Sequence, residues 1–81
     1  MELIDLRIWL ISKGYKQDTY GHYQKQKDGK TYRYKIQDIS VRYETKVHHE
    51  YDNTNSWIRL ASGYFKDLKL NDKNQLCGMK Y

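Results

Sequence analysis

Residues 19–36 read TYGHYQKQKDGKTYRYKI, and Asp28-Gly29 within them is a hairpin signal. Both central positions of a tight hairpin turn need a positive φ, which Gly adopts freely and Asp tolerates. The flanks, 19–27 and 31–36, are the two arms. On the second arm Tyr32, Tyr34 and Ile36 alternate with Arg33 and Lys35, so one face is apolar and the other charged. Past Ile36 the alternation changes phase, because Ile39, Val41, Tyr43 and Val47 fall on odd positions. Gln37-Asp38 must absorb that slip, either as a β-bulge in one bent strand or as a tight turn. Residues 48–56, HHEYDNTNS, show no apolar alternation and read as a loop.

Toward the N-terminus, residues 2–13 (ELIDLRIWLISK) carry two apolar stripes at helical spacing, Leu3/Leu6/Leu10 and Ile4/Ile8/Ile11. They predict a helix with a broad apolar arc, along which Arg7 lays its aliphatic stem. Ile4, Leu6, Ile8 and Leu10 would also alternate on a strand, but Gly14 stands where a left-handed residue ends a helix. The last third has two readings. Trp57, Leu60, Ala61, Tyr64, Phe65 and Leu68 match a helix capped by Ser56. That would make the chain α-β-β-β-α, the layout of a double-stranded-RNA-binding module. Gly63 in mid-pattern and β-formers at both ends weigh against it. The favoured reading is a strand at Trp57–Ala61, then a hairpin of 64–70 and 75–80 around Asn71-Asp72-Lys73-Asn74. The expected fold is α+β, with the N-terminal helix packed on a twisted antiparallel sheet of three to five strands. Residues 1–81 are expected to form a single domain.

Fifteen Lys/Arg against ten Asp/Glu give a formal charge of +5, and the mean hydropathy is −1.06. That hydropathy would suit a disordered chain, but nine Tyr, two Trp and one Phe do not. With one Ala and few aliphatic residues, the tyrosines must supply core area. No stretch approaches the roughly 18 apolar residues of a membrane helix, and the start lacks the basic and apolar regions of a signal peptide. A cytoplasmic protein with no membrane partner is therefore expected. Lone Cys77 has no partner for an internal disulfide or a zinc site and reads as a small hydrophobe. The excess of Lys over Arg is that of an AT-rich coding sequence, as in low-GC bacteria and their phages.

The functional signal is one-sided charge. Residues 23–35 hold Lys25, Lys27, Lys30, Arg33 and Lys35 against Asp28. With Tyr32, Tyr34 and Ile36 turned to the core, Arg33 and Lys35 face out. Tyr23, Lys25 and Lys27 are expected to share that outer face, and Arg42 and Lys46 to continue it. Such a face would neutralise phosphates, with Tyr23 placed to stack a base. Antiparallel sheets also use Lys and Arg simply to solvate one face and protect edges. His48-His49, with Glu50 and Asp52 nearby, looks like a ligand cluster. Adjacent strand residues point to opposite faces, however, and His22 joins only by tertiary chance, so no metal site is assigned. No catalytic residue or cofactor is assigned either, and P-loop, G-x-S-x-G, H-E-x-x-H and dinucleotide motifs are absent.

Two resemblances point to chemistry. Glu44-Thr45-Lys46, with Asp28 or Asp38 upstream, resembles the Asp…Glu-x-Lys arrangement of restriction-type nucleases. That likeness implies two carboxylates holding Mg²⁺ and a Lys polarising the attacking water. The run Trp9-Leu10, Lys13-Gly14-Tyr15 and Gly21-His22 resembles the start of the small HicA-type mRNA-cleaving toxins, where a His follows soon after a Gly. It spans residues 9–22, with Tyr20-Gly21-His22 where the family has Gly-Ser-His. The expected function is a non-enzymatic basic binder of nucleic acid or a nucleoprotein. The alternative is a phage or mobile-element inhibitor of a host defence enzyme such as a nuclease, using the basic face or an exposed Trp57/Tyr64/Phe65 cluster. A small metal-dependent nuclease or mRNA-cleaving toxin is the third.

Overall fold

In the computed structural model, which describes residues 1–81, Asp28 and Gly29 take φ of 54° and 79°. This left-handed pair makes a two-residue turn that joins β2 (Tyr23–Lys27) to β3 (Lys30–Ile36). A tight turn at Gln37–Ile39, closed by the Gln37 N–H donating to the Ser40 carbonyl, leads to β4 (Ser40–His49) and absorbs the phase change. β5 (Thr54–Tyr64) returns alongside. With the short β1 (Lys16–Gln17) the sheet is a five-stranded antiparallel meander in chain order. A 3-10 turn (Phe65–Asp67) and a small hairpin of β6 (Lys69–Leu70) and β7 (Leu76–Cys77) complete the chain. Lys80 then bridges Ser62 on the outer side of β5.

The α+β expectation holds: helix α1 (Leu3–Ser12) lies on one face of the sheet, hereafter the inner face. Gly14, at φ 89°, ends it, with its N–H and that of Tyr15 donating to the carbonyls of Ile11 and Leu10. Leu6 and Leu10 are fully buried against Tyr23, Tyr34, Val41 and Leu68. Burying a side chain of this size contributes about 1.5–3 kcal/mol. The second stripe does not join the core. Ile4, Ile8 and Ile11 are 59%, 61% and 61% exposed, because no element lies over that side of α1.

Three further expectations are corrected. Residues 48–56 are not a loop but the outer part of the β4–β5 hairpin, with only residues 50–53 turning. Lys46–His49 and Thr54–Trp57 pair solely with each other, since β3 reaches only Thr45, so the arm extends past the core and has no apolar period. The second helix, and with it the α-β-β-β-α layout, is overturned: residues 54–64 are one strand. The C-terminal hairpin around residues 71–74 forms, but with two-residue arms.

Candidate nucleic-acid interface

The cross-strand register sorts every sheet residue onto a face. Because the Asp28-Gly29 turn pairs Lys27 with Lys30, odd residues of β2 lie opposite even residues of β3. Tyr23 therefore faces Tyr34 and is a core residue, 3% exposed, rather than an outer stacking residue. For the same reason Lys25 lies opposite Tyr32, and Lys25, Lys27 and Lys30 belong to the inner face, away from Arg33. Arg33, Lys35, Arg42 and Lys46 do share the outer face.

That face carries more cations than the alternation indicated. One row runs across all five strands, Lys16–Gln24–Arg33–Glu44–Arg59. The next runs Lys35–Arg42–Ser62–Lys80. Lys46 pairs with Trp57 beyond the first row. A β-bulge inserts Leu60 between the partners of Tyr43 and Glu44 and shifts the phase of β5, which is what brings both Ala61 to the inner face and Arg59 to the outer. These two rows and the Lys46–Trp57 pair hold seven Lys or Arg residues and one carboxylate, with the core on the opposite side of the sheet.

The one carboxylate, Glu44, is buried at 2% exposure beneath the arginines. Its Oε1 accepts from Arg33 Nε at 2.8 Å, and its Oε2 lies 3.4 Å from Arg42 Nη2. The Arg33 guanidinium carbon sits 3.9 Å from the centre of the Trp57 ring, and Lys46 Nζ is 5.9 Å from it. Arg33 is thus clamped by a carboxylate and an indole. Arg42 is held loosely, with its Nε unpartnered. Beside it a polar depression of about 450 Å³ is lined by Arg42, Arg59, Lys80, Ser40, Ser62 and Asp67.

His22 sits at the head of β2. Its Nδ1 accepts from the Ile36 N–H at 3.0 Å, so the neutral ring carries its proton on Nε2. Burial, helped by Arg33 and Lys35 and opposed by Asp18 and Glu44, holds the imidazole below its ordinary pKa. Asp18 organises the preceding turn. Burial works against its charge, but donors from Gln24 Nε2 and the His22 and Tyr20 N–H groups prevail and leave its carboxyl below the usual value.

The residues of the nuclease-like pattern are dispersed. Asp28 is at one hairpin tip, Asp38 in the next turn, and both Glu44 oxygens face arginines. No three His, Cys, Asp or Glu side chains gather closely enough to hold a metal ion. His48 pairs with Asn55 and His49 with Ser56, on opposite faces of the arm. Trp57 and Tyr64 are seven residues apart along the extended β5, so they and Phe65 form no single aromatic cluster.

On the inner face, beyond the end of α1, the aromatic side chains gather. Tyr34 packs edge-on against Trp9 and Tyr15, with centroids at 6.1 and 5.3 Å, and Tyr32 stacks on Tyr43 at 5.8 Å and 8°. Burial, with neighbouring phenols, pushes Tyr15, Tyr34 and Tyr43 above the ordinary tyrosine pKa. A raised folded-state value means the fold holds those protons, so this stabilisation is complete below the unfolded value of about 10 and is lost as pH rises past it. We expect cooperative unfolding on the alkaline side, with part of the phenolate absorbance appearing only as the circular dichroism signal collapses. Complete phenol ionisation with the fold intact would contradict this.

No helix is long and apolar enough to cross a membrane. Comparison with known protein families, curated proteins and solved structures finds no match, so function is to be read from this geometry.

Proposed function

We propose that the protein is a small non-enzymatic binder of nucleic acid or a nucleoprotein, and that phosphates are held on the outer face of its sheet. The observation that carries this reading is the set of seven cations in the outer rows, where Glu44, buried, is the only carboxylate and Asp67 borders the depression beside Arg42. Rows of Lys and Arg on antiparallel strands, roughly 5 Å apart, neutralise successive phosphates and release their counterions. Arg33, Lys35, Arg42 and Lys46 keep the role their alternation suggested, and Lys16, Arg59 and Lys80 join them. Fluorescence anisotropy with short labelled RNA and DNA at low salt tests it. Binding that falls steeply with added salt supports the reading, and no binding at low salt ends it.

A second reading, an inhibitor that docks on a host enzyme such as a nuclease, is favoured by the bare Ile4/Ile8/Ile11 stripe of α1. In a pull-down from nuclease-treated host lysate it predicts a protein partner that Ile8→Glu releases. Because Ile8 is exposed, that change should alter stability by no more than about 0.5 kcal/mol. Recovery of nucleic acid alone, from untreated lysate, would count against this reading.

A further inference from the structure

The lysines that the register removes from the outer face have a place of their own. Trp9, Tyr15, Tyr32 and Tyr43 line a cup of about 180 Å³ on the inner face, past the end of α1. Lys13, Lys25 and Lys27 complete its wall, and no acidic residue lines it. Two of the ammonium groups lie over its rings: Lys25 Nζ is 5.5 Å from the centre of Tyr15 and Lys13 Nζ 5.9 Å from that of Trp9. Lys25 also donates to the Lys13 carbonyl at 2.6 Å, which fixes it between helix end and sheet. The parallel Tyr32–Tyr43 pair supplies a flat surface. A site of flat rings bordered by ammonium groups suits a planar aromatic group attached to an anion.

The free edge of β2 lies between the cup and the outer face. β1 pairs only with Tyr23 and Gln24, so β2 has no partner strand on that side from Lys25 to Lys27. A groove along this bare edge is lined by Gly14, Lys16, Gln24, Lys25 and Gln26. Lys25 therefore belongs to both cup and groove, while Lys16 belongs to both groove and outer face.

We infer that the ligand is single-stranded nucleic acid, which places one unstacked base in the Trp9/Tyr15/Tyr32/Tyr43 cup and carries its backbone around the edge of β2 onto the outer cations. The inference rests on the nucleic-acid reading above and narrows it. A duplex is a stiff rod with its bases stacked inside, so it meets one face of the sheet and offers nothing to the cup. A single strand bends around an edge and has free bases to stack.

The test compares fluorescein-labelled single strands, DNA and RNA, with the same sequence as a duplex at low salt. Tyr32→Ala should weaken single-strand binding about tenfold or more and leave duplex binding unchanged. Tyr32→Phe keeps the ring and should restore it. Lys27→Gln, at an exposed position whose loss cannot unfold the chain, should lower the single-strand salt slope by about 0.7 and leave the duplex slope unchanged. Arg59→Glu on the outer face should weaken both forms. If both forms bind equally and respond to Arg59→Glu but not to Tyr32→Ala or Lys27→Gln, the outer face stands and the cup is overturned. If neither form binds, both readings fall.

Discussion

Reversing Lys35, Arg59 and Lys80 to Glu together is expected to cut nucleic-acid affinity about a thousandfold at low salt. Each charge-assisted bond to phosphate that disappears weakens binding roughly tenfold. None of the three bonds Glu44, and Arg59 and Lys80 are exposed, so the fold should survive. The salt dependence gives an independent number. The outer rows alone, seven cations offset by Glu44, leave about six phosphate equivalents, which contribute about −4 to the log–log slope of a single strand. A fourfold rise in salt should then weaken the native protein about 300-fold, and the triple variant, which neutralises about three phosphates at most, far less. Anisotropy titrations across a salt series read both quantities. A triple variant that binds like the native chain, or a native chain indifferent to salt, would remove the outer face as the binding surface. Charge that merely solvates a sheet face gives both of these results.

What could be read from the residues follows from how local each determinant is. Asp28-Gly29 and the run Tyr32–Ile36 contain their own turn geometry and alternation, so the hairpin and its apolar face were legible. The face of β2 was not, because Gln24, Lys25, Gln26 and Lys27 have no apolar period and only the turn length sets their parity. Counting two turn residues before assigning faces would have placed Tyr23 in the core. Arg59 and Lys80 were beyond local reading. Arg59 reaches the outer face through the bulge at Leu60, and Lys80 through a bridge formed after the chain has turned at residues 71–75. The α1 stripes show the converse limit. Periodicity counts apolar faces, but how many are covered depends on elements far along the chain, and Leu68 covers one side while nothing covers Ile4, Ile8 and Ile11.

Glu44→Gln should separate stability from affinity, moving them in opposite directions. The carboxylate is the only negative charge in the outer rows, buried between Arg33 and Arg42. Removing it leaves Arg33 beneath Trp57 without a counter-charge. Breaking a buried pair from one side costs about 3–5 kcal/mol. Here the Arg42 side chain is 36% exposed and Arg33 14%, so solvent screening brings the expected loss to about 2–3 kcal/mol. That is a large share of the roughly 4–12 kcal/mol ordinary for a chain this long. Urea denaturation should show the midpoint falling with the slope unchanged. Binding should instead strengthen about tenfold at low salt, with a salt slope steeper by about one, because the freed guanidinium groups can pair with phosphate instead. If Glu44 merely held the sheet together, stability and affinity would fall together. A loss of affinity in a variant that remains folded at the assay temperature would therefore reject phosphate as the competitor for Arg33 and Arg42.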